Sequence, residues 1–141
     1  SMRNIRELVS AKAGGLGVQR KEVPLTAAEE RAARLIPRRK EDQQLLGVQY
    51  VFTKLASDTT INLQSLTTAI GHAADTLRAQ GADELLIWSL YDAPAYYADG
   101  QRSILDIRDA VAAEYTLIPI EAIELYFRAF EKAGVMTIVQ K

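Results

Sequence analysis

His72 is the only histidine in this chain, and there is no cysteine. Acid–base, nucleophilic or metal chemistry would have to rest on one imidazole, or on carboxylates alone. A general base needs an oriented partner. His72 sits beside Ile70 and Ala73 on an apolar helical seam, and Asp75 is close enough in sequence to hydrogen-bond it. A seam-edge or surface histidine is the reading these neighbours support, and one His with no Cys makes no zinc set. Asp106 and Asp109 stand three apart, which a helix cap and a surface charge explain. Gly14, Gly15 and Gly17 are not followed by Gly-Lys-Ser/Thr and not preceded by a strand, so they read as a loop rather than a phosphate cradle. Tyr91, Tyr96 and Tyr97 could stack bases, but beside Pro94 they read as packed on the core with hydroxyls in water. The expectation is a non-enzyme with no cofactor and no metal.

Arg38-Arg39-Lys40 is the densest basic cluster. It follows Pro37 and stands at the expected start of a helix, where cations oppose the macrodipole. Local stability therefore does not account for it. Two readings stay open: contact with an anionic partner, or a solvated helix start balanced by Glu41 and Asp42.

The wider charge pattern is asymmetric. Residues 1–54 hold 11 Lys/Arg against 6 Asp/Glu, and residues 55–141 hold 6 against 12. Either a basic arm seeks an anionic partner, or the two halves attract one another. With 141 residues, 48% hydrophobic and 25% charged, the chain can bury a core without disulfides. The densest apolar run, Leu85-Leu86-Ile87-Trp88, is too short for a membrane span. Ser1 before Met2 reads as a cloning remnant, and no secretory signal follows; the expected location is the cytoplasm.

Periodicity predicts the elements that carry these residues. Met2 to Ala11 can form a short helix, and the glycines break it. Thr26 and Glu29 make a capping box for a helix that Pro37 ends near Ile36. A helix over about 40–57 has two apolar faces. A long helix over about 60–80 carries the Leu63/Leu66/Ile70/Ala73/Leu77 seam and stops at Gly81. A short helix over 83–91 holds Trp88, and 95–100 is an aromatic loop.

The last third reads as a short strand at Ser103-Ile104-Leu105, a helix from Asp106 to Tyr115, a turn, a helix from Pro119 to Ala133, Gly134, and a strand at Val135–Val139. With the 83–91 helix ahead of it, this order resembles the winged-helix superfamily over about 83–141. The exit Ala129-Phe130-Glu131-Lys132-Ala133-Gly134-Val135 is similar to the passage from that family's third helix into its wing. In DNA-reading members the third helix enters the major groove. Here its first half offers Glu121 and Glu124, which repel phosphates, and Glu124 is expected to pair with Arg128. The polar stripe of this helix spans only about 100°, so its apolar arc is about twice the usual width. Ile123, Tyr126, Phe127 and Phe130 lie in that arc and are expected to be packing or interface residues.

The expected fold is mainly α: N-terminal helices packed on a winged-helix-like C-terminal unit with a small β component. The expected organisation is a basic N-terminal arm over 1–40 and a helical domain over 41–141. The leading functional reading is a non-catalytic protein-interaction or assembly module, with a protein partner or a homo-oligomer. The alternative is a DNA-binding transcriptional regulator that meets nucleic acid through the basic arm.

Overall fold

The structure is a computed structural model that describes residues 23–40 and 46–141. The expected helix at 2–11, the glycine loop and the Glu41/Asp42 balance lie outside them. Among the described residues the chain is mainly helical, with one small antiparallel sheet. The helices are α1 (Ala27–Ala32), α2 (Val48–Lys54), α3 (Leu63–Ala79), α4 (Glu84–Leu90), α5 (Ala93–Tyr97), α6 (Ile104–Glu114) and α7 (Ile120–Lys132). The strands are β1 (Leu35–Arg39) and β2 (Met136–Gln140). No helix of the described residues is long and apolar enough to cross a membrane.

The capping signals act locally and hold. Thr26 accepts from the Glu29 N–H at 3.1 Å, and Glu29 accepts from the Thr26 N–H at 3.0 Å. Asn62 caps α3, and Asp83 caps α4 through the Leu86 N–H at 2.9 Å. Gly134 adopts φ +80° after α7, and the Val135 N–H returns to the Phe130 carbonyl at 3.0 Å.

Three expected elements take a different form. The 24–36 helix stops at Ala32, because Leu35–Arg39 pairs with β2 from Leu35↔Gln140 to Arg39↔Met136. Pro37 disfavours helix at Ile36 but allows extended backbone, and a two-stranded ribbon is all edge, where proline is tolerated. Arg38 and Arg39 therefore stand in a strand, and the next described helix starts at Val48. The expected strand at 103–105 is the start of α6: Ser103 caps it and Asp106 completes the box from the third position. The expected aromatic loop at 95–100 contains α5, with Pro94 in its first turn.

The core is organised round α7. Phe127 and Phe130 are fully inaccessible, and Ile123 and Tyr126 are 1% exposed. Helices α1, α2, α3, α5 and α6 and strand β2 all pack on α7. Tyr126 stacks on Phe130 at 4.7 Å and donates its hydroxyl to the Tyr91 carbonyl at 2.8 Å. Burial pushes the Tyr126 phenol well above the ordinary tyrosine range.

Candidate functional site

The described residues hold no cluster of three or more His, Cys, Asp or Glu that could bind a metal. His72 is exposed on α3 and lines a shallow pocket with Asn62, Ser65, Thr68 and Pro119. Asp75 turns to Arg78 at 3.1 Å, which also takes Glu84 at 3.1 Å. Asp109 is not the expected surface charge. It is fully buried, and it accepts from Arg108 Nε at 3.0 Å. Arg108, itself buried, reaches across to Glu29 of α1 at 2.5 Å. This buried triad fastens α1 to α6. Its partner stands 79 positions away, so no local pattern could have shown it.

Glu124 does not pair with Arg128. Arg31 of α1 takes Glu124 at 2.8 Å, and Arg128 bonds Glu131 at 3.2 Å. α1 thus meets the first half of α7 at Glu124, while Glu121 stays exposed. The site residues Ile123, Tyr126, Phe127 and Phe130 form the hub of the core.

Two exposed surfaces stand out among the described residues. The first is the outer face of α4. This helix buries Ile87 and Leu90, both 0% exposed. At about 100° per residue, burying that pair turns Leu85, Trp88 and Ser89 to the opposite side. Leu85 is 84% exposed and Trp88 64%. Tyr91 lies 5.8 Å from the Trp88 ring. The Ser89 and Tyr115 hydroxyls meet at 2.9 Å, which brings the end of α6 alongside. Leu117, two residues further on, is also exposed. Nothing in periodicity says which side of a seven-residue helix is covered, so this exposure was invisible in sequence.

No known protein family, curated protein or solved structure matches this chain.

The second surface is the end of the β1–β2 ribbon, where Arg38, Arg39 and Lys40 come together with residues the sequence kept apart. Arg38 Nε donates to the Gly100 carbonyl at 3.1 Å. Arg39 donates to the Ala95 and Tyr96 carbonyls at 2.9 and 3.3 Å. Lys54 of α2 donates to the Ala133 carbonyl at 2.8 Å, satisfying the end of α7. The ammonium groups of Lys54 and Lys40 lie 3.8 and 4.0 Å from the β-carbon position of Gly134. Tyr96, 73% exposed, is not packed on the core as expected, whereas Tyr91 and Tyr97 are half-buried.

Proposed function

We propose that this protein is a non-catalytic assembly module that associates with a second copy of itself through the outer face of α4. One observation carries the reading: Leu85 and Trp88, one turn apart, stand exposed on a well-capped helix. A clustered exposed apolar patch marks an interaction surface. Tryptophan is among the side chains that supply most binding energy when an interface closes.

The rim of the patch favours self-recognition. Arg78 bonds Asp75 and Glu84 beside Leu85, so both charge signs border the apolar centre. A two-fold interface sets each patch against its own copy and has to be self-complementary. A rim of one sign would repel its copy; a mixed rim can match it. The α6–α7–β2 order keeps the winged-helix resemblance as part of this proposal, with docking in place of base reading.

The test uses the single tryptophan. If α4 forms the interface, Trp88 emission shifts to longer wavelength on dilution, and acrylamide quenches it more strongly. In the L85S/W88F variant, which keeps a ring at position 88 and folds around the same buried Ile87 and Leu90, the sedimentation rate falls to that of one chain. Trp88 emission that is fully water-like and concentration-independent overturns the proposal.

A further inference from the structure

Twelve Lys and Arg side chains fall within the described residues, and they divide cleanly. Arg31, Arg78, Arg102, Arg108, Arg128 and Lys132 each have a carboxylate partner. Arg34, Arg38, Arg39, Lys40, Lys54 and Lys141 pair with no carboxylate of the described residues. All six stand on the ribbon or touch it. Arg34 and Lys40 flank β1, and the Lys141 N–H bonds the Arg34 carbonyl at 2.7 Å just past β2. Lys54 meets Ala133 where α7 hands over to β2. Residues 34–40 and 134–141 contain no Asp or Glu at all.

Hydrogen bonds do not remove this charge. Arg38, Arg39 and Lys54 donate to neutral carbonyls, which fix the side chains and leave each cation whole. The negative end of the α7 dipole, roughly half an elementary charge, offsets part of Lys40 and Lys54. It does not reach the other cations. Two tyrosines lie among them. Tyr96, 73% exposed, gives its carbonyl to Arg39, and the Lys54 ammonium lies 5.7 Å from the centroid of the exposed Tyr50 ring.

We infer that the ribbon is a binding site for single-stranded nucleic acid, with these six cations on phosphates and the tyrosines on bases. Cations that track a backbone beside open aromatic rings are the parts of a sequence-tolerant single-strand groove. An acidic protein is the competing occupant, because tyrosines also serve protein interfaces, and competition by polyglutamate tells the two apart. A duplex keeps its bases stacked on one another, out of reach of those rings. The site is separate from the α4 face and does not depend on self-association.

The experiment is fluorescence anisotropy of a labelled oligothymidylate of about 12 nucleotides, within the span such grooves hold, titrated with the full chain at several salt concentrations. The decisive variant is R34Q/K40Q/K141Q, whose three side chains make no hydrogen bond to the described residues, so the fold stays intact. It should bind at least roughly tenfold more weakly at low salt, and the log–log salt slope should shrink by about 2, near 0.7 per lost phosphate contact. Tyr96→Ala should weaken binding about fivefold or more without changing that slope. Polyglutamate of matched charge should compete poorly. Three results each overturn the inference: no binding at low salt, polyglutamate competing as well as the oligonucleotide, or a duplex of equal length binding more tightly than the single strand.

Discussion

Arg31 and Glu124 are 93 positions apart, and their side chains meet at 2.8 Å. The contact sets α1 across the first half of α7. The wide apolar arc of α7 required a second cover, and α1 supplies part of it within the same chain. α7 therefore serves as the central post of the fold.

Burial of α7 on both flanks makes Phe130 indispensable. Phe130→Ala should lower unfolding free energy by about 3–5 kcal/mol, the usual cost of emptying a buried phenylalanine site. Urea denaturation followed by circular dichroism checks this. A loss below about 1 kcal/mol would show that the site collapses freely and that the second flank is not packed.

Arg108 should behave unlike Arg31. Arg108→Met takes the guanidinium from the buried carboxylates of Glu29 and Asp109, at a cost of about 3–5 kcal/mol. Arg31→Met breaks a half-exposed pair and should leave the denaturation midpoint nearly unchanged. Equal effects from the two variants would contradict the picture of a buried clasp between α1 and α6.

The sequence held the local half of this architecture. The Thr26/Glu29 box, the helix start at Asp83, Gly81, Gly134 and the arc of α7 are each set by residues within one or two turns, and their signals were readable, whereas the long helix expected from about residue 60 starts at Leu63 behind its Asn62 cap. The ribbon was not readable, because β1 exists only through pairing with residues about a hundred positions away. Pro37 signalled the end of helix and gave no sign of the partner strand. Asp109 looked like surface charge because burial is set by tertiary packing, which its neighbours in sequence do not record. The cationic cluster was visible as Arg38-Arg39-Lys40, but Lys54, Arg34 and Lys141 join it only through the fold.

Tyr126 gives the chain an alkaline limit. Burial holds its phenol neutral in the fold, whereas the unfolded chain lets it ionise near pH ~10. A raised folded pKa means that its contribution is whole below about pH 10 and is lost as pH climbs from there towards the folded value. In the wild type, stability should fall above about pH 10 by up to ~1.4 kcal/mol per pH unit on this account. Tyr126→Phe removes that slope, although it lowers stability at neutral pH by losing the bond to the Tyr91 carbonyl. Identical slopes for the two proteins above about pH 10 would contradict the assignment.

Self-association through the outer face of α4, as proposed, is read out by sedimentation equilibrium. Across a concentration series, the wild type should approach twice the chain mass of 15.6 kDa. L85S/W88F should remain at the mass of one chain throughout. The R34Q/K40Q/K141Q variant should dimerise like the wild type, because its changes lie on the ribbon. A wild type that stays at single-chain mass at every concentration, or an L85S/W88F variant that dimerises as well as the wild type, would contradict the account.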